Sequence, residues 1–327
     1  MPLDESTLLL TRRDVVALLT LDESIAALER AFALSPPPTG VLGIPAGEGG
    51  FHIKAGILAF ERPYFVAKLN GNFSQNPGRW GIPAIHGVIV LSDAENGRPL
   101  AVMDSMEITV LRTGAATAVA ARRLARAESR VATVCGCGNQ GRVQIRALSR
   151  VLRLDRVFAF DLDEDAAKRF VQDLSSELGI ELESVRHPRR ASRESDVVVT
   201  CTPSREPFLS RDDVAPGTFV AAVGADSPEK QELEPALLAG SKLVVDNLEQ
   251  AASFGELHHA LSGGFLRREA VHAELADVVA GRKPGRTSPE EITVFDSTGV
   301  ALEDAAAAAA VFEKARRECG ARLRFSD

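Results

Sequence analysis

From residue 131 onward, short apolar runs alternate with longer stretches of helical periodicity. The runs cover 131–135, 157–160, 182–185, 197–201, 219–223 and 243–245, and each reads as a strand. Strand and helix in alternation predict a doubly wound parallel sheet. Before residue 105 the pattern differs. Residues 51–55 and 64–70 alternate apolar and polar side chains, as strands with one wet face do. Runs at 88–91 and 100–103 flank Asn96 and Gly97, which predict a hairpin turn. Capping-box spacings, Thr11 with Asp14 and Thr20 with Glu23, predict two short helices. The second carries an apolar stripe over 25–34 and ends in the Ser-Pro-Pro-Pro-Thr-Gly segment 35–40. The rest of 40–62 and the stretch 71–87 read as loops. A long Ala-rich helix is expected over 107–127 and another over 300–319, where residues 305–310 are all alanine. The fold class is therefore α/β. A Rossmann-type doubly wound domain is expected over 116–299, and an α+β domain over 1–115 completed by 300–327.

A length of 327 residues suits two domains, and 45% apolar content can fill two cores. The net charge of −7 and the lack of basic runs interleaved with aromatics exclude a nucleic-acid surface. No stretch of about 18 uncharged apolar residues occurs, so no membrane helix is expected. Residues 1–5 lack a basic region followed by a long apolar one, so no signal peptide is expected. Cys135, Cys137, Cys201 and Cys319 fit a reduced, cytoplasmic protein, the first two as small packing residues. His258 and His259 read as solvated surface. No histidine has ligand spacing with a partner, so no metal is expected.

One stretch carries specific chemistry. The strand at 131–135 runs into Gly136, Gly138 and Gly141, the spacing G-x-G-x-x-G. An amphipathic helix follows over about 140–152, and Asp161 closes the next strand. Strand, glycines, helix, strand and acid in this order form the dinucleotide fingerprint. Gly136 permits the tight turn, Gly138 the approach of a pyrophosphate, and Gly141 close packing of helix on strand. Asp161 would accept the ribose 2′-OH. No arginine follows it in 162–165, so NAD is expected rather than NADP.

A hydride-transfer site also needs a cation for a substrate carboxylate, a polarising group and a proton carrier. Arg112, on the helix leading into the nucleotide domain, is a candidate carboxylate clamp. It reads equally as a surface arginine. Lys68 shares a strand face with Val66, and a lysine in that setting most often reaches solvent from a strand end. His52 and Lys54 would share a face of their strand. Asp226 follows a predicted central strand, at the end of the sheet where open α/β folds bind ligands. A helix N-cap is the alternative there.

These residues, lined up, resemble the ornithine cyclodeaminase/μ-crystallin family over nearly the whole chain. The resemblance rests on residues 64–68 (Tyr-Phe-Val-Ala-Lys), 104–115 around Arg112, the Gly136 loop, 224–233 around Asp226, and 295–299 (Phe-Asp-Ser-Thr-Gly). It implies that Arg112 and Lys68 hold and polarise the substrate, with Asp226 exchanging a proton. It places Thr113, Asn139, Gln140, Asp161, Thr202, Val223, Lys230 and Ser297 against the nucleotide. Many members carry an arginine after the first long helix, as a second carboxylate contact. Residues 36–44 contain none, which leaves Lys54 or Arg62 to supply that contact. Alanine stands at Ala84, where many members have threonine. These departures favour an imino-acid reductase or amino-acid dehydrogenase. The alternatives are an ornithine or lysine cyclodeaminase with recycled NAD, and a non-catalytic μ-crystallin-like binding protein. The resemblance also implies a homodimer, built from a substrate-binding and dimerisation domain at the N-terminus.

Overall fold

The computed structural model describes residues 6–34 and 38–325, except the side chains of 317 and 318. Residues 1–5, on which the signal-peptide expectation rests, lie outside the described residues, as do 35–37 of the expected proline-rich break. The chain divides into two compact units, Met1–Arg112 with Val300–Asp327, and Thr113–Gly299.

The first unit opens with β1 (Thr7–Leu10), α1 (Arg12–Leu18) and α2 (Leu21–Phe32). Both expected capping boxes form, Thr11 with Asp14 and Thr20 with Glu23. Next come β2 (Thr39–Ala46), β3 (Gly49–Ala59) and β4 (Pro63–Asn72). They are followed by α3 (Asn76–Trp80), β5 (Ile85–Asp93), β6 (Pro99–Asp104) and α4 (Met106–Leu124). Much of 40–62 is thus a long hairpin and not loop. Its alternation is obscured by glycines, and Gly47 makes the turn at φ +58. The Asn96–Gly97 turn forms with Gly97 at φ +78, its N–H donating to the Asp93 carbonyl at 2.8 Å.

The second unit runs β7 (Val131–Cys135), α5 (Asn139–Leu148), β8 (Arg156–Phe160), α6 (Glu164–Leu178) and β9 (Glu181–Ser184). It goes on through α7 (Pro188–Arg193), β10 (Val197–Thr200), β11 (Phe219–Ala222), α8 (Pro235–Ala239) and β12 (Lys242–Val245). The last elements are α9 (Leu248–Phe254), α10 (Glu256–Ser262), β13 (Ala273–Glu274), α11 (Leu275–Val279) and β14 (Thr293–Asp296). All eight strands described here are parallel, in the order β13-β12-β14-β11-β10-β7-β8-β9. The order reverses at β7, which makes the sheet doubly wound. β10, β11 and β14 are buried at every position, as strands covered on both faces must be. β14 lies between β11 and β12, yet only Val294 and Phe295 of its four residues are apolar, too few to stand out as an apolar run.

The chain returns to the first unit as α12 (Ala301–Glu318) and β15 (Ala321–Leu323). The sheet there has the order β15-β1-β6-β5-β4-β3-β2. α12 packs on α2, β3 and β4. Small side chains let it approach closely, and a Cβ added to Gly56 would sit 3.0 Å from that of Ala301.

Because Phe295 is fully buried on a central strand, Phe295→Ala should cost about 3–5 kcal/mol. Urea unfolding measures this, and a loss below about 1 kcal/mol would remove β14 from the core.

Candidate active site

Three functional clusters can be built from the residues upward, one in the first unit and two in the second.

In the first unit, β4 turns Tyr64, Val66 and Lys68 toward the buried face. Lys68 is only 4% exposed, so the expectation of a solvent-reaching lysine is overturned. α12 supplies the reason. Asp304, in its first turn, takes the Lys68 ammonium on both oxygens at 2.7 and 2.8 Å. The Arg112 guanidinium of α4 meets Glu303 at 2.6 Å and Asp304 at 3.3 Å. Arg112 is 6% exposed, so it is no surface arginine. Lys54 stands opposite Lys68 in the β3–β4 register. Burial, opposed by Asp304 and aided by Arg112 and Lys54, brings the Lys68 amine down to about 7. Burial works against the charge of Asp304 too, but Lys68 and Arg112 outweigh it and hold its carboxyl below the ordinary range. With Lys68 protonated, Lys68 and Arg112 face Glu303 and Asp304 two against two, and Lys54 stands beside them in register. Cations gathered in this way suit a carboxylate, and a lysine near neutral can give or keep a proton.

The second cluster is the glycine loop. Gly136 has φ +104, and a Cβ there would lie 2.8 Å from the Cys201 carbonyl oxygen. A Cβ on Gly141 would collide with the Gly136 carbonyl. Gly138 differs from both. It is the N-cap of α5 with no side-chain bond, and a Cβ there would meet nothing. Space is kept open in front of a helix N-terminus, where a phosphate is stabilised. Beside it, Asn139 is exposed and the Gln140 Oε1 is buried without a partner. Asp161 sits just past β8 and accepts the Cys137 N–H at 2.8 Å and the Asp163 N–H at 3.0 Å. The fingerprint acid thus also braces the loop, with lone pairs left for a hydroxyl. These residues fit a dinucleotide.

The third cluster lies at the carboxyl ends of β10, β11 and β14. Thr202 follows β10, Val223 and Gly224 follow β11, and Ser297 follows β14. Asp226 is exposed and pairs with Lys230 at 2.6 Å. Residues 227–229 form a turn, so the helix N-cap alternative falls. The His259 Nε2 lies 2.8 Å from the Lys230 carbonyl. His258 and His259 are half-buried and stacked edge to face, not solvated surface as expected. Thr113, also buried, opens the second unit on α4.

Glu303, Asp304 and Glu232 escaped the sequence reading. The pair at 303–304 did leave a signal, two adjacent acids opening an otherwise alanine-rich helix. Buried acids in such a place require cations or hydrogen-bond donors.

A model of the ornithine cyclodeaminase/mu-crystallin family matches residues 5–318. The alanine dehydrogenase of Archaeoglobus fulgidus is 42% identical over 326 residues, 98% of each chain. A solved archaeal alanine dehydrogenase dimer with bound NAD superposes at a TM-score of 0.93 with 41% identity, over 98% of this chain and 99% of that one. Thermococcus litoralis Δ1-pyrroline-2-carboxylate reductase, solved with NADH and L-proline, gives 0.91 and 33% over 97% of this chain and all of that one.

Removing Asp304 takes the counter-ion from buried Lys68 and leaves Arg112 its contact with Glu303. Asp304→Asn should therefore cost about 3–5 kcal/mol. The folded-state pKa of Lys68 lies below the ordinary 10.5, so its contribution to stability is lost as pH falls through about 7. The variant's loss should accordingly be greater near pH 6 than near pH 9 in denaturant titrations, and equal losses would show that Lys68 does not titrate in this range.

Proposed function

The chain belongs to the ornithine cyclodeaminase/mu-crystallin family, and from that premise we propose an NAD-dependent imino-acid reductase, an amino-acid dehydrogenase in reverse. It acts at the Cα–N bond of a small amino or imino acid. The observation that carries this reading is the buried cation cluster of Lys68 and Arg112, locked by Glu303 and Asp304, with Lys54 beside it in register.

Arg112 grips the substrate carboxylate, with Lys54 as the second contact in place of the missing arginine. Lys68 polarises the reacting end. Asp226 gives the proton to the imine nitrogen and takes it back in the oxidative direction. Gly136, Gly138, Asn139, Gln140 and Gly141 cradle the pyrophosphate, and Asp161 takes the ribose hydroxyl. Thr113, Thr202, Val223, Lys230 and Ser297 complete the nucleotide's surroundings. NADH, when bound, supplies the hydride for the imine carbon. In this reading residues 113–299 form the NAD domain, and the other unit holds substrate.

A second copy of the chain is the partner proposed for the first unit's sheet. By register, Leu42, Ile44, Phe51, Phe65, Leu69 and Val88 point to one face, and all are exposed. An apolar face of this extent favours association.

The test offers purified protein pyruvate with ammonium or methylamine, Δ1-pyrroline-2-carboxylate and Δ1-piperideine-2-carboxylate. NADH should be consumed with at least one, at a rate cut at least 100-fold by Arg112→Ala or Asp226→Asn, about 2.7 kcal/mol of transition-state binding. NADPH should serve far less well, and Asp161→Ser should narrow the gap. Ammonia and proline from L-ornithine, without net NADH change, would replace the reductase with a cyclodeaminase. Light scattering should give a dimer, and Leu69→Asp should shift it toward monomer. A wild-type monomer would reject the sheet face as an interface.

A further inference from the structure

The second unit buries carboxylates that the proposed chemistry does not use. Glu232 is fully buried, and its Oε1 accepts the Thr202 N–H at 2.6 Å and the Thr202 hydroxyl at 2.7 Å. Its Oε2 accepts the Gly224 N–H at 3.0 Å. One side chain therefore ties the loop after β10 to the loop after β11. The N–H groups of Glu232 and Leu233 donate to Glu256 at 2.7 and 3.1 Å. Those of Glu256 and Leu257, at the start of α10, donate to Asp296 at the end of β14 at 3.2 and 2.9 Å. Among the described residues no lysine or arginine forms an ion pair with any of the three acids.

Uncompensated carboxyls are costly to bury, and packing alone does not call for them. Glu232 meets three donors with two oxygens, which only a carboxylate can do. A glutamine offers one oxygen and would turn its NH₂ toward an N–H. Gly224 is adapted to the same contact, because a Cβ there would collide with the Glu232 carboxyl. Asp226 stands two residues further on.

We propose that Glu232, Glu256 and Asp296 form a ladder of backbone-directed carboxylates, in which Glu232 is the positioning residue that sets Thr202 and the Asp226 loop for the nucleotide reaction. The proposal rests on the reductase reading for its purpose, but not for its geometry.

The experiment compares wild type with Glu232→Gln in the full chain. It follows deuterium exchange in peptides covering 200–206 and 222–228, NADH binding by fluorescence, and steady-state kinetics on the imine accepted by wild type. Exchange in both peptides should quicken about tenfold while the rest of the unit stays protected. NADH should bind at least fivefold more weakly. The kcat should fall about 100-fold with the imine KM within about threefold, since Glu232 touches no substrate. Glu232→Asp, which keeps two acceptor oxygens, should recover part of the protection and of kcat. Wild-type exchange and kcat in Glu232→Gln would overturn the proposal. If Glu232→Gln fails to fold, Glu232→Asp decides: slowed turnover with loosened peptides supports the ladder, and full turnover with loosened peptides rejects it. Failure of the reductase reading shows separately, as a wild type that consumes no NADH with any imine, and the exchange and binding measurements still judge the ladder.

Discussion

The contact of Asp304 with Lys68 and Arg112 decides what the first unit can do. Neither cation could sit below 10% exposure on its own, because the interior penalises bare charge by several kcal/mol. Two adjacent carboxylates on α12 make their burial tolerable and fix their direction. Buried cations held in fixed directions are an arrangement that can meet an anion without reorganising. Burial brings the Lys68 amine down to about 7 even though the contact with Asp304 works in the other direction.

The second unit solves its positioning problem differently. Asp161, Glu232, Glu256 and Asp296 accept from backbone N–H groups and form no ion pair among the described residues. Asp161 holds the glycine loop through Cys137, Glu232 holds Thr202 and Gly224, and Glu256 and Asp296 hold Glu232 and the start of α10 in turn. Burial raises Glu232 and Glu256 above the ordinary carboxyl range and brings Asp296 up to about 7. Such links carry no side-chain freedom on the donor side, so each fixes main chain to within a hydrogen bond's tolerance.

What the sequence reveals follows from how unique each physical demand is. The glycine fingerprint is legible because Gly136 and Gly141 are required by sterics that no other residue satisfies. The capping boxes at Thr11 and Thr20 are legible because both partners lie within one turn. β2 and the parts of β3 outside 51–55 are hidden by glycines at 40, 43, 47, 49, 50 and 56, which blank the alternation that marks a strand. β14 is hidden by its composition, with Val294 and Phe295 its two apolar residues. Glu303 and Asp304 are hidden by distance, since their partners lie at least 191 residues away. Lys68 and Arg112 could be singled out as chemical candidates, but their burial could not be read without α12.

That separation has a consequence for how the molecule comes into being. Lys68 and Arg112 leave the ribosome long before Asp304 does. Until the last helix is made, a growing chain carries two cations whose intended surroundings do not exist, on a sheet that lacks its α12 cover. The first unit is interrupted by the whole of the second, so its closure follows the synthesis of the second and depends on contacts of very long sequence separation. A chain arrested before residue 301 can complete the parallel sheet, whose strands lie within 131–296, but not the cation site. The cation cluster therefore forms only in a chain that has been made through α12.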